Sequence, residues 1–232
     1  MHYFPMTIAF LLFLLLLFVF LIIAIEVGIL SYAYQRMGID RRYVFSLLIL
    51  SLLGSYVNIP LFQLAPEQIV SNSYVDYFGI RHLIPLVKEL PATIIAVNVG
   101  GAVIPAALSL YLTLKNKLYR QSLVSIAIVT ILVYFMAHPV RGVGIAVPVF
   151  IPPVAATVVA LIFSSKYAPA LAYICGTMGT LLGADILHFG DIHGLGAPVA
   201  SIGGAGTFDG IFVTGILAVL LASVMTEKKT SF

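Results

Sequence analysis

The sequence has very little charge and almost no cysteine. Only 9% of its 232 residues are charged, 61% are hydrophobic, and the mean hydropathy is +1.12. Soluble globular domains carry about 25% charged residues, so this composition excludes that class and indicates a polytopic membrane protein. The single cysteine, Cys175, excludes an internal disulfide and the usual cysteine-based metal sites. No stretch has the composition of a separate soluble domain, and no cofactor is expected.

Seven apolar stretches are each near the ~20 residues that a helix needs to cross the hydrocarbon core. They lie at about 6–34, 43–64, 91–114, 119–137, 147–164, 168–187 and 201–225. The first follows no basic segment and contains no small-residue cleavage site, so we expect a retained span and not a cleaved signal peptide. The predicted fold is an all-α helical bundle of about seven spans, forming one integral domain of the cell membrane over residues 1–232.

Basic residues are concentrated in the loops on one side of these predicted spans. They are Arg36, Arg41, Arg42, Lys115, Lys117, Arg120, Lys166, Lys228 and Lys229. Because cytoplasmic loops carry an excess of Lys and Arg, this pattern places the N-terminus outside and the C-terminus inside. The net charge of +3 is therefore explained by the orientation of the chain in the lipid bilayer, its expected partner, and does not indicate a nucleic-acid partner. Residues 65–90 fall outside and are expected to form an amphipathic interfacial segment, either a connector or a lid.

Glycine and proline recur at one depth in three of the predicted spans. The segments are Asn98-Val-Gly-Gly-Ala-Val-Ile-Pro105, Gly142-Val-Gly-Ile-Ala-Val-Pro148 and Ser201-Ile-Gly-Gly-Ala-Gly-Thr207. They predict broken helices or close helix contacts at one level, in a parallel repeat of hairpins about every ~50 residues. Close packing through small residues would give the same pattern without any function.

Asp185 and Asp209 lie in the last two predicted spans, each in glycine-rich sequence. A carboxylate at bilayer depth costs roughly 2.5 to 3.5 kcal/mol on insertion scales, so we expect each to have a partner or a function. The connecting loop is short, which allows the two to face one another. Two carboxylates that share a proton can act as acid and base on one water, as aspartyl hydrolysis requires. The same pair can carry a proton or hold a cation in a coupled transporter. In a third interpretation Asp185 pairs with Arg141 and Asp209 caps exposed backbone donors.

Further polar residues are candidates for substrate binding: Asn98, His138, Arg141 and His188. Asn98 lies near the outer end of the third predicted span. There it can hydrogen-bond to the aspartate pair, or it can satisfy broken backbone near Gly100. Arg141, which follows His138 and a proline, is typical of an outer-interface anchor and can receive an anionic headgroup.

His188 follows Asp185 at i+3, on the same face of a helix. With Asp191 and His193 it forms a His-x-x-Asp-x-His cluster, which is chemically suitable for zinc or a related metal. There is no HExxH helix to support such a site, so we expect interfacial loop polarity and no metal.

The three glycine segments, together with Gly183-Ala-Asp185 and Asp209-Gly210, resemble an uncharacterised membrane family of archaea and bacteria, the domain of unknown function 1614. The resemblance covers most of the chain from about residue 20 onward. It implies residence in a prokaryotic inner membrane and supplies no activity.

A more distant similarity is to intramembrane aspartyl proteases of the presenilin and prepilin-peptidase type. These use two membrane aspartates, one of them in a Gly-x-Gly-Asp motif, whereas this chain has Ala184 before Asp185. The leading hypothesis is a membrane-embedded hydrolase in which Asp185 and Asp209 are catalytic and cleave a membrane-resident peptide or a lipid-linked substrate. The alternatives are an ion-coupled small-solute transporter that uses the same pair, and a structural membrane protein. The sequence does not set the oligomeric state.

Overall fold

The computed structural model describes residues 8–65, 67–77, 80–90, 92–140, 144–192, 198–204 and 210–230, which are mostly helical, as predicted. The α-helices in these ranges are α1 (Ile8–Arg36), α2 (Arg41–Gly54), α3 (Ile104–Asn116), α4 (Tyr119–Met136), α5 (Ile151–Phe163), α6 (Ala168–Thr180) and α7 (Gly210–Thr230). The strands are β1 (Asn58–Gln63), β2 (Glu67–Tyr77), β3 (Ile80–Leu90), β4 (Ile94–Asn98), β5 (His138–Val140), β6 (Gly144–Ala146) and β7 (Val199–Ile202). Two π-helical segments, Val99–Val103 and Leu181–Ile186, adjoin α3 and α6.

One end of the helical bundle holds the short turns between helices, and we call it the basic end. Lys115 Nζ in α3 donates a hydrogen bond of 2.6 Å to the carbonyl of Gly38 in the α1–α2 turn. Arg36 Nη2 at the end of α1 lies 3.4 Å from the carbonyl of Ser223 in α7. The C-terminal ends of α1, α3 and α7 therefore meet, and the strands lie at the opposite ends of the helices, which we call the strand end.

Four basic side chains at the basic end each lie over a tyrosine ring. The pairs and their distances from charged group to ring centroid are Arg36–Tyr32 at 5.9 Å, Arg42–Tyr43 at 5.6 Å, Lys115–Tyr111 at 5.5 Å and Lys166–Tyr167 at 5.1 Å. A cation within about 6 Å of an aromatic centroid is attracted by the ring quadrupole. These contacts hold the basic groups at one level, next to the tyrosines.

At the strand end, β1, β4 and β7 form a three-stranded sheet in that order. β1 pairs antiparallel with β4, whereas β4 pairs parallel with β7, with Ile94 opposite Val199 and Val97 opposite Ile202. β2 and β3 form a long antiparallel hairpin over the predicted amphipathic segment 65–90, with Asp76 opposite Arg81. β5 and β6 form a short hairpin before α5.

These strands correct the predicted helical spans. The predictions 43–64 and 91–114 contain the strands β1 and β4, and the prediction 201–225 begins within β7. Backbone that leaves the helical conformation in an apolar segment must find other hydrogen-bond partners, and here the three interrupted segments pair with one another. The glycine and proline breaks are therefore real, but they mark transitions from strand to helix.

Small residues make up much of the interior between the last four helices of the bundle. Among α4 to α7, the fully buried residues include Ala156, Ala160, Ala172, Ala218 and Ala222. Large apolar side chains occur both inside and outside: Leu112, Leu171 and Ile174 are fully buried, whereas Leu123, Phe135, Phe150 and Ile162 are each more than 70% exposed. Many large apolar side chains therefore remain on the surface of the bundle.

Among the described residues, two helices are long and apolar enough to cross a membrane, Leu15–Arg36 and Tyr119–Met136. Their mean hydropathies are 2.6 and 1.5. Two shorter apolar helices are Ile151–Phe163 and Gly210–Thr226.

Candidate functional site

Asp185 lies in the π-helical segment that continues α6. The widened turn is marked by the i→i+5 hydrogen bond from Leu187 N to Leu182 O, at 2.9 Å. Gly183 lets this segment approach α4 closely, because a Cβ there would lie 2.7 Å from the carbonyl oxygen of Thr130 and 2.9 Å from Val133 Cβ. π-Helical turns inside α-helices are rare and are frequent at functional sites.

The Asp185 carboxylate binds backbone at the end of β7. Its Oδ2 accepts a hydrogen bond of 2.7 Å from the N–H of Gly203, and the side chain is half-buried. Gly203 has φ +89°, a left-handed conformation that side chains other than glycine rarely adopt. A hydrogen bond to an ionised acceptor is stronger than one between neutral groups. Asp185 thereby fixes the position of the segment that leads into α7.

The two glycine pairs of the sequence repeat pack directly on one another. A Cβ on Gly101 would overlap the carbonyl oxygen of Gly203, and a Cβ on Gly203 would lie 2.6 Å from Ala102 Cβ. The π-helical segment before α3, Val99–Val103, contacts the end of α2 on its other side. There a Cβ on Gly100 would overlap Ser51 O and Ser55 N. Three chain segments therefore approach within backbone contact at the level of Asp185.

Asn98 is the polar centre of this junction and is fully buried. Its Nδ2 donates to Ser55 O at 2.7 Å and to Asn58 Oδ1 at 3.1 Å, and its Oδ1 accepts from Gly101 N at 2.7 Å. Ser201 Oγ donates to the same Asn58 Oδ1, at 2.7 Å. The side chain of Asn98 thus satisfies the broken backbone, which is the second of the two predicted roles. Its link to Asp185 runs through the glycine contact and not through a direct hydrogen bond.

A cavity of about 220 Å³ lies beside Asp185. One wall is formed by β6 and the turn that follows it, including Ile145 and Pro148. The other wall is formed by α6, its π-helical extension and α7, and its residues include Thr180, Asp185 and Thr214. Gly210, the first residue of α7, also lines the cavity. The site is therefore a small chamber, mostly apolar, with one carboxylate and two threonines.

Thr180 is buried, and its hydroxyl oxygen has no hydrogen-bond partner among the described residues. A threonine in an apolar helix normally donates to the carbonyl one turn earlier, as Thr177 Oγ1 does to Tyr173 O at 2.7 Å. Leaving a buried polar atom without a partner costs about 1–3 kcal/mol, and within the described residues the hydroxyls of Ser125 and Thr130 in α4 also lack a partner.

His188 holds the π-helical segment in place. Its Nδ1 lies 2.8 Å from the carbonyl oxygen of Gly183, so this nitrogen carries the proton and donates. Its ring packs on Tyr134 with 4.7 Å between centroids, and the side chain is 6% exposed. The imidazole therefore satisfies a carbonyl that the helix break displaces.

Residues 52–221 match the family described as a protein of unknown function, DUF1614. The chain belongs to the DUF1614 family. The matched region contains the three-stranded sheet, the glycine junction and the cavity beside Asp185. No curated protein and no solved structure matches the chain.

The remaining predicted site residues of this DUF1614 member are only partly described. Asp209, Arg141 and His193 lie outside the described residues, so the predicted pairs of Asp185 with Asp209 and with Arg141 stay predictions. His138 is exposed in β5, opposite Ala146, and its predicted role in substrate binding is likewise untested.

The His-x-x-Asp-x-His cluster, in which no metal is expected, has one buried and one exposed member in the described part of the chain. His188 is turned toward Gly183 O, whereas Asp191 is exposed in a short 3₁₀ helix, Phe189–Ile192. Within the described ranges, no three His, Cys, Asp or Glu residues are grouped as metal ligands would be.

Sequence reasoning missed three participants in the site, Thr180, Thr214 and Asn58. Thr180 precedes Asp185 by five residues, a spacing that places both on one side of a π-helical turn but not of an α-helix. Thr214 lies four residues after Gly210, where it faces the same way in α7. Asn58 gave no signal, because the strand that carries it was predicted as helix.

Proposed function

We propose that this chain is a multi-pass protein of the cell membrane, with seven spans and its N-terminus outside. The support is the distribution of side chains: many large apolar residues are exposed on the bundle, and small residues are frequent where α4 to α7 pack together. Helices in lipid pack through small and hydroxyl-bearing residues, because lipid tails solvate large apolar side chains as well as a protein core does. A soluble protein would leave an apolar surface of this extent open to association.

The two ends of the bundle support the same topology. The basic groups beside their tyrosines lie at one end, as expected for a cytoplasmic interface with its aromatic belt. The sheet of β1, β4 and β7 lies toward the other end, where it pairs the non-helical backbone internally. Non-helical backbone at membrane depth is tolerated only when it is buried in protein or lines a wet cavity.

Within this framework we propose that the protein is an ion-coupled transporter of a small solute, with Asp185 in the coupling site. The observation that carries the proposal is the half-buried carboxylate of Asp185, placed in a helix break and facing a chamber of about 220 Å³. Coupled transporters bind their driving ion at interrupted helices. Ligand pockets for drug-sized molecules measure about 300–1,000 Å³, so this chamber suits an ion or a very small solute better than a peptide in extended conformation.

A membrane-embedded aspartyl hydrolase is the second candidate, and one observation favours it. Gly210 lines the same chamber as Asp185, so Asp209 is adjacent in sequence to the chamber wall. Hydrolysis requires both carboxylates to reach one water molecule. Its substrate would be a membrane-resident peptide or a lipid-linked molecule that enters from the outer half of the bilayer.

The test is solute flux into sealed vesicles that contain the purified full-length chain. A panel of amino acids, organic acids and sugars is offered under an imposed proton or sodium gradient. We expect gradient-driven flux of at least one solute, reduced about tenfold or more by Asp185→Asn, which removes the charge with little change in shape. The control is Asp40→Asn, which changes an exposed carboxylate before α2 at the basic end; this side chain makes no capping hydrogen bond to the helix.

Two outcomes would contradict the transport proposal. One is equal flux in the wild type and in Asp185→Asn, and the other is no gradient-driven flux across the whole panel. Cleavage of a membrane peptide or of a lipid-linked substrate that requires both Asp185 and Asp209 would replace transport with hydrolysis.

A further inference from the structure

We infer that the open groove between α2 and α3 binds one anionic phospholipid, with an acyl chain in the groove and the headgroup phosphate at the basic end, beside Arg42 and Lys115. This inference rests on the proposed placement in the membrane and is independent of the proposed transport function. It assigns a lipid of stated chemistry to a surface that the site beside Asp185 does not use.

The two helices are connected at both ends and separated between them. At the strand end, Gly100 before α3 lies against the backbone of Ser51 and Ser55 at the end of α2. At the basic end, Lys115 Nζ donates a hydrogen bond of 2.6 Å to Gly38 O in the turn before α2. Between these contacts a groove of about 610 Å³ opens on the surface of the bundle. Ligand pockets commonly measure about 300–1,000 Å³, so the groove is large enough for a molecule from the surroundings.

The walls of the groove are apolar along most of its length. Leu47 and Leu50 line it from α2, and Ile104 and Ala107 line it from α3. From Tyr43 to Leu50 the helix α2 rises about 10 Å, at about 1.5 Å per residue. An acyl chain is as apolar as these walls, so it can lie in the groove, but it gains little there over the surrounding bilayer. Selection of one lipid over another must therefore come from the polar end of the groove.

The mouth of the groove at the basic end carries two cations beside tyrosine rings. Tyr43 and Tyr111 both line the groove. The guanidinium carbon of Arg42 lies 5.6 Å from the centroid of the Tyr43 ring, and Lys115 Nζ lies 5.5 Å from that of the Tyr111 ring. Both basic residues are exposed. Tyrosines are enriched at the headgroup level of a bilayer, so these contacts place the two charges where a lipid phosphate lies.

The balance of charge at this mouth favours an anion. Asp40 also lines the groove, and its carboxylate would repel a phosphate, but Arg42 and Lys115 outnumber it. The Asp40 side chain makes no capping hydrogen bond, and in the described part of the chain it forms no ion pair with either cation. Lys115 uses one of its three N–H donors on Gly38 O, which leaves two for a phosphate. Basic pockets between membrane helices bind anionic headgroups, and each cation near the headgroup adds to the attraction.

The experiment measures lipid binding to the purified full-length protein in detergent by native mass spectrometry. The probes are phosphatidylglycerol, which is anionic, and phosphatidylcholine, which is zwitterionic, with identical acyl chains and in equal amounts. We expect one molecule of phosphatidylglycerol to be retained, with an affinity about fivefold or more above that of phosphatidylcholine. Thermal unfolding provides a second readout, because a ligand that binds the folded state raises the melting temperature.

Charge variants separate this groove from the rest of the basic end. Arg42→Gln and Lys115→Gln should each lower the affinity for phosphatidylglycerol about fivefold, the effect of one basic side chain at a membrane surface. Lys115→Arg keeps the charge and should keep the affinity. Within the described residues the Arg42 side chain makes its ring contact and no hydrogen bond, so Arg42→Gln tests the charge without removing a bond of the fold. Lys166→Gln is the matched control, because Lys166 Nζ also lies over a tyrosine, Tyr167 at 5.1 Å, but in the α5–α6 turn.

A shape variant tests the groove itself. Ala107→Phe places a ring between α2 and α3 without changing any charge. It should exclude the acyl chain and lower the affinity for phosphatidylglycerol at least as much as the loss of one cation. The matched control is Leu110→Phe on the same helix, at a residue that is 61% exposed and is not part of the groove wall. That control should bind the lipid as the wild type does.

Each result supports the inference or overturns it. Equal retention of the two phospholipids, or equal losses in Lys115→Gln and Lys166→Gln, overturns the groove as a specific lipid site. A dimer that forms without lipid and is lost in Ala107→Phe would assign the groove to a second copy of the chain. Retention that requires Lys115, without flux of any solute, supports the lipid site and contradicts transport. A chain that stays monodisperse without detergent or lipid contradicts the membrane placement and the lipid site together, whereas a chain that needs detergent but does not select phosphatidylglycerol contradicts the lipid site alone.

Discussion

Replacing Gly101 with alanine should destabilise the protein much more than the same replacement at an exposed glycine. The new Cβ would overlap the carbonyl oxygen of Gly203, which is backbone and not the end of a flexible side chain. To relieve the overlap, β7 must move away from the π-helical segment before α3. That movement strains the hydrogen bond from Gly203 N to Asp185 Oδ2, now 2.7 Å, and the bond from Gly101 N to Asn98 Oδ1, also 2.7 Å.

The magnitude follows from these contacts. Forcing extra volume into a close-packed site costs about 1–3 kcal/mol. Weakening a hydrogen bond to a charged group costs about 1.5–3 kcal/mol more. Alanine returns at most about 1 kcal/mol through its higher helix propensity, so the packing cost decides the sign. We expect a net loss of about 2–5 kcal/mol, which for a chain of this size lowers the melting temperature by roughly 4–20 °C.

The assay is thermal unfolding in detergent, followed by loss of the monodisperse peak in size-exclusion chromatography. The matched control is Gly28→Ala in α1, where a Cβ has no heavy atom within 4 Å and only the propensity gain applies. That control should melt at or slightly above the wild-type temperature. If Gly101→Ala also melts within about 2 °C of the wild type, the backbone contact between Gly101 and Gly203 is refuted.

Two further substitutions test the hydrogen bonds of the site, using the same unfolding assay. Asn98→Ala removes three hydrogen bonds and leaves buried backbone groups without a partner, so it should cost about 2–4 kcal/mol; wild-type stability would show that this junction does not depend on the amide. His188→Phe keeps the ring on Tyr134 but deletes the donor to Gly183 O, and should cost about 1–3 kcal/mol. A phenylalanine variant as stable as the wild type would mean that ring packing, and not the hydrogen bond, holds the π-helical segment.

Part of the fold follows directly from composition. Long apolar runs predicted a mostly helical chain, and the structure confirms it. The glycine pairs predicted close contacts or broken helices at one level, and Gly101 and Gly203 do pack together. Asp185 lines a chamber, but its predicted catalytic role stays a prediction. The helical content and the glycine contact could be predicted because each depends on local chemistry, namely hydrophobicity and the absence of a Cβ.

The strands were not predictable in the same way. An apolar run has no polar face, so its periodicity does not distinguish a buried strand from a buried helix. Ile94 and Ile95 lie within such a run, and only pairing with β1 and β7 establishes that they are extended. Thr180 was not identified from the sequence for a related reason, because its sequence context is like that of Thr177. Only the three-dimensional structure shows that the Thr177 hydroxyl is hydrogen-bonded, whereas the Thr180 hydroxyl has no partner among the described residues.

The parallel pairing of β4 with β7 fixes the order in which the protein can be completed during synthesis. Ile94 pairs with Val199, so β4 leaves the ribosome long before its partner does. The antiparallel neighbour β1 is already present and can pair with one edge of β4. The other edge stays unpaired until β7 is synthesised. Contacts between distant parts of a chain form late because closing the intervening loop costs entropy. Asp185 can accept its hydrogen bond from Gly203 only at that stage. The chamber is therefore completed when the last helix packs against the bundle. A chain whose folding stops earlier has the carboxylate but not the assembled site.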